Sequence, residues 1–238
     1  MSDLSKLIKG ELIRLYKYKI LIVGIIVSLL WVLIIGLSDK ESIEGIIPML
    51  IFMDAGMMSI LLIAASFYLE KQEGSIKSLL IAPVKLLDIL ISKVIAALIL
   101  SLISTTLVLL SAILIHNTTV NIILLYLYVI ITVVSHISIG LVITLYSKDF
   151  GSMIGLYAAF AFISLIPSIF YTIEIIPESF STVLLISPSH AGQMLLNSAF
   201  KTVDVLIIII SILYLIIIPS LLYPLVIYKK FKKYAIEG

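Results

Sequence analysis

Apolar residues in this chain come in long unbroken blocks, not in the alternating or every-third-position patterns of half-buried strands and surface helices. Six blocks, at residues 20–37, 46–69, 94–115, 122–146, 153–173 and 205–228, are each long enough as a helix to cross about 30 Å of hydrocarbon. In lipid the backbone must satisfy its own hydrogen bonds, which leaves only helices or a closed barrel. The blocks lack the in-and-out alternation of barrel strands. The pattern therefore predicts an all-α membrane protein: one transmembrane domain over residues 1–238 with six spans.

The polar intervals complete the plan. In residues 1–19, Leu4, Leu7, Ile8, Leu12, Leu15 and Tyr16 recur near helical spacing, with Lys6, Lys9 and Lys17 elsewhere around the wheel. This predicts an amphipathic helix lying on an anionic membrane surface, not a cleavable signal. Fourteen of the sixteen lysines and arginines fall before span one, in the 70–93 and 147–152 connections, or after span six, leaving only Lys40 and Lys201 on the other side. The positive-inside bias predicts a multi-pass protein of the cell membrane with both termini in the cytoplasm. Residues 174–204 are then external, and their apolar stretches 183–186 and 194–196 predict two short helices half-sunk in the outer leaflet. Pro177 suits the start of the first; Ser187 and Pro188 break it, and Ser189 suits the cap of the second.

Composition narrows the function. Hydrophobic residues make up 62% of the chain and charged residues 13%, about half the soluble norm. The chain has no cysteine, which removes disulfides, thiolate metal sites and thiol nucleophiles. No G-x-x-x-x-G-K-[ST] loop, H-E-x-x-H, G-x-S-x-G or clustered His/Asp set occurs, so no catalytic site, metal or cofactor is expected in this chain. The basic residues follow topology instead of forming an aromatic-interleaved patch, so nucleic acid is not an expected partner.

The most informative interval is 70–93. Gly74 suits the left-handed position that ends a helix and Ser75 can cap the next. Ile76, Leu79 and Leu80 would form one apolar face of a short helix ended by Pro83. Such a face, held among charged flanks, must be buried against the membrane surface or a protein groove. The pattern Glu70-x-x-x-Gly74-Ser75-Ile76-x-x-Leu79-x-x-x-Pro83 after the second span resembles the permease subunits of type-2 ATP-binding-cassette (ABC) exporters. The basic amphipathic start, the six spans and the long segment before span six extend the resemblance over the whole chain. Phe52-Met-Asp54-Ala with Gly56, and Ser187-Pro188-Ser-His190, resemble the branch of drug (fluoroquinolone) exporters.

The resemblance implies that Glu70, Gly74, Ser75, Ile76, Leu79, Leu80 and Pro83 couple to an ATPase, the short helix docking in its cleft. It also implies two ABC ATPase subunits that bind ATP and magnesium, a second permease subunit, and export of a hydrophobic or amphipathic substrate such as a drug, peptide or lipid. Helices ahead of span six would close the outward exit. Two other functions stay open: an ion-gradient-driven secondary transporter, which generally needs intramembrane ionisable groups or inverted repeats, and a peptide-sensing or immunity subunit without transport.

Three further features have two readings each. Asp54 is either a contact in a substrate path or the cap at the outer end of a span that begins near Met53. His136, beside Ser135, Ser138 and Gly140, is either a neutral hydrogen-bonder between helices or a proton relay. Gly151, Gly155 and Ala159 recur every fourth residue, a spacing that lets helices approach closely. Their partner is either a neighbour in the same chain or a second subunit.

Overall fold

The apolar blocks fold as helices. The computed structural model describes residues 3–74 and 84–237, and all regular structure among the described residues is helical. Six helices have the length and composition to cross a membrane: Ile20–Leu37, Ile47–Gln72, Leu86–His116, Ile122–Tyr146, Phe150–Thr172 and Val205–Lys233. An N-terminal helix, Asp3–Lys17, precedes them and packs along the third span and the start of the first.

Helix ends follow local chemistry. Asn121, Asp149 and Asp204 cap the fourth, fifth and sixth spans, each accepting a backbone N–H of the first turn. At Asp149 the cap is reciprocal: Ser152 N–H donates to Oδ1 at 2.7 Å, and the Ser152 hydroxyl receives the Asp149 N–H at 3.0 Å. The third helix begins at Leu86, upstream of the apolar block at 94, and runs straight through Asp88 and Lys93. Charge alone does not stop a helix, and Lys93 finds partners described below.

The second span is the centre of the bundle. It begins Ile47–Ile51, takes a π-helical turn over Phe52–Met57 and continues as Met58–Gln72. The carbonyl of Ala55, within that turn, accepts a hydrogen bond from Ser101 of the third span at 3.3 Å, so the irregular backbone is satisfied by a neighbour. Span four closes on this helix at Gly140. A Cβ there would stand 2.5 Å from the Ile63 side chain and 2.8 Å from the Ile60 carbonyl oxygen, so the two backbones meet where no larger residue fits.

The segment ahead of the sixth span departs from the half-sunk arrangement. A short 3-10 turn, Glu178–Phe180, and one helical turn, Ser181–Leu184, leave Val183 and Ile186 exposed. The next helix, Pro188–Asn197, is buried among the second, fourth, fifth and sixth spans, with residues from Ser189 to Leu196 all buried. Its cap is Ser187, which accepts the His190 N–H, with Pro188 at the first helical position. Ser189, expected as the cap, instead donates to the Ser164 hydroxyl at 2.9 Å.

Candidate functional site

Glu70 and Gly74 close the second span just ahead of residues 75–83. Gly74 has φ 69°, a left-handed conformation that costs an L-residue about 1–2 kcal/mol. No atom of the described residues lies within 4 Å of a Cβ added there, so the backbone angle is what calls for glycine. Ser75, Ile76, Leu79, Leu80 and Pro83 lie outside the described residues.

Glu70 is fully buried and faces into the chain. Lys93, at the start of the third span, donates to its Oε2. Arg14 of the N-terminal helix reaches the same oxygen at 3.2 Å, and the Ser66 hydroxyl donates to Oε1 at 3.3 Å. Lys93 also donates to both oxygens of Glu11, at 3.1 and 3.2 Å, and Arg14 pairs with Glu11 at 3.2 Å. The Lys93 ammonium lies 5.9 Å from the centre of the Phe67 ring. Two cations and two anions thus form a neutral cluster in which Glu11, Glu70 and Lys93 are each at most 2% exposed. Tyr18 adds a second tie, donating to Glu73 at 2.6 Å.

Neutrality and hydrogen bonding are what make this burial tolerable, because an unpaired charge in that position would cost several kcal/mol. Burial pushes the Glu11 carboxyl above the ordinary carboxylate range; Lys93 opposes that rise and the nearby Glu70 reinforces it. The cluster joins three elements: the N-terminal helix, the end of span two and the start of span three. The last two are the stems of the connection that contains 75–83.

Sequence reasoning counted Arg14 and Lys93 only as markers of topology and did not single out Glu11. A signal was present. Glu11 sits among Leu7, Ile8 and Leu15 at helical spacing, and a carboxylate on the apolar stripe of an amphipathic helix requires a buried cation.

The geometry corrects the cap reading of Asp54. It lies inside the π-helical turn, buried, well after the helix start at Ile47. Ser28 of the first span donates to Oδ2 at 2.8 Å. His136 does not hydrogen-bond between helices either. Its Nδ1–H donates to Thr132 O of its own helix at 2.8 Å, while its ring meets Phe52 edge-on at 5.3 Å between centroids. Its Nε2 has no hydrogen-bond partner among the described residues. Asp54 and His136 are not in contact.

Gly151, Gly155 and Ala159 are all exposed, and no atom of the described residues lies within 4 Å of a Cβ on Gly155. Among the described residues, no neighbour in the same chain covers Gly155.

A family model described as ABC-2 type transporter matches residues 3–201. The chain belongs to the ABC-2 type transporter family. The match takes in the N-terminal helix, the four-charge cluster and the first five spans. ABC-2 proteins are membrane subunits of ABC transporters, with ATPase activity carried by separate partner chains. No curated protein matches the chain as a relative.

Proposed function

We propose that this ABC-2 chain is the permease subunit of an ATP-driven exporter, set in the plasma membrane with both termini in the cytoplasm. It would work with two ATPase subunits, which bind ATP and magnesium, and with a second permease subunit, identical or homologous. Its cargo would be hydrophobic or amphipathic: a drug, a peptide or a lipid-like molecule.

The observation that carries this reading is the ionic cluster at the stems of 75–83. A loop that receives force from an ATPase is useful only if its stems do not give way. Glu70 and Lys93 hold the two stems together, and Glu11 and Arg14 tie both to the N-terminal helix. A push on the segment would then move spans two and three and that helix as one body. Glu70 therefore serves coupling by stiffening the stems, since a fully buried side chain cannot touch an ATPase. The docking face falls to Ile76, Leu79 and Leu80.

The fifth span supports a second permease subunit. It is the least apolar of the six, yet only 17% of its apolar window is buried, and it presents a small-residue seam outward. A lipid-facing helix has no need of such a seam, whereas a helix–helix contact does.

The test replaces Leu79 and Leu80 with Ser. Each loses roughly 1.5–3 kcal/mol of apolar burial if it sits in a cleft, so ATPase co-purification should fall at least tenfold, with membrane insertion intact. Undiminished association and transport in the double variant would remove the coupling assignment.

A further inference from the structure

A groove of about 430 Å³ lies between the fourth and sixth spans, lined by Ile130, Val134, Leu215, Pro219, Ser220 and Tyr223. Pro219 has no N–H to give the helix, and the chain then takes a π-helical turn over Tyr223–Ile227. The sixth span is therefore irregular beside the groove, although it packs against span four along its length. The groove is almost wholly apolar, opens sideways out of the bundle, and lies in the middle of both membrane-crossing helices.

The same two spans carry a fixed cation at their lysine-rich ends. Lys230 of the sixth span places its ammonium 3.0 Å from the centre of the Tyr146 ring and 3.4 Å from the Leu145 carbonyl oxygen, both at the end of span four. Lys229 and Lys232 are exposed beside it. At about 1.5 Å per helical residue, Lys230 lies roughly 10 Å along the helix from Tyr223, and Tyr146 roughly 18 Å from Val134. One leaflet of hydrocarbon is about 15 Å deep. Cation and groove are thus separated by the depth at which an acyl chain hangs below its own phosphate.

We infer that this groove and Lys230 form a binding site for one anionic phospholipid, with the phosphate at Lys230 and an acyl chain along Val134, Pro219 and Tyr223. An anionic leaflet surface attracts lysines at about 1 kcal/mol each, which makes the head group selective, while the groove holds the tail by apolar burial. The site lies apart from the ionic cluster and from the fifth-span seam, and it does not depend on what the protein exports.

The full chain, purified into nanodiscs of phosphatidylcholine with phosphatidylglycerol, would be assayed by native mass spectrometry for retained lipid. Wild type should keep phosphatidylglycerol in preference to phosphatidylcholine. Lys230→Gln should reduce that preference about fivefold, and Lys230→Arg should restore it, since a guanidinium also binds phosphate. Val134→Phe should fill the groove and lower retention of both lipids. A photo-crosslinker at Ile216 on the wild-type background should give a lipid adduct, which keeps the test valid if Val134→Phe misfolds. Unchanged preference in Lys230→Gln, or a crosslink to a second copy of the chain or to a transport substrate instead of lipid, would overturn the site.

Discussion

The second and fifth spans have nearly the same hydropathy and opposite surroundings. Of the most apolar window in each, 83% is buried in the second and 17% in the fifth. Small residues occur in both neighbourhoods. Where span two meets span four, Gly140 lets two backbones of the same chain touch; along span five, a Cβ on Gly155 would meet no atom of the described residues. The difference teaches that lipid, protein interior and subunit interface all read as apolar sequence, because all three exclude water equally well. What separates them is whether a second surface of fitting shape is present.

The largest expected effect lies at the buried end of that contrast. Lys93→Met should leave Glu11 and Glu70 sharing Arg14 as their one cation among the described residues, an uncompensated buried charge that costs about 3–5 kcal/mol. Thermal unfolding in detergent should show it, while Lys85→Met, at an exposed lysine, should stay within about 0.5 kcal/mol of wild type. Equal melting of the two variants would dissolve the cluster as a structural unit.

The next test sets the two glycines against each other. Gly140→Ala should cost about 1–3 kcal/mol by forcing apart backbones that cannot yield. Gly155→Leu should leave the melting of the single chain unchanged and abolish pairing with a second permease on native gels. If Gly155→Leu still pairs in detergent and in lipid, the seam faces lipid and the contrast with span two loses its meaning.

The smallest effect is a pH slope. The Glu11 carboxyl titrates above its ordinary value of 4.5, so folding disfavours its charged form. That penalty is absent below the ordinary value and complete above the raised one, so stability should decline as pH rises between the two. Glu11→Gln should flatten this part of the curve of melting temperature against pH. An unchanged slope would show that another group sets it.

Much of the site was legible in advance, and the illegible part has a single cause. Gly74 could be placed as a helix-ending residue because a positive φ is a local demand. Glu70 could be placed by motif, but not the direction its side chain takes, which depends on Lys93 and on Arg14, fifty-six residues away along the chain. The cap reading of Asp54 stood open because a carboxylate near the start of an apolar block fits that role locally. Its partner Ser28 lies on the first span, and no pattern within the second span announces it.

Sequence by itself determined the number of spans, their helical nature and the side on which lysines gather. These follow from hydrogen bonding in hydrocarbon and from the cost of moving charge across it, and both act residue by residue. Only the tertiary structure decided which spans form the interior, which charges pair and which small residues remain uncovered. Those outcomes depend on surfaces brought together from distant parts of the chain, and hydropathy is blind to them because it assigns the same value to a leucine against lipid and a leucine against another helix.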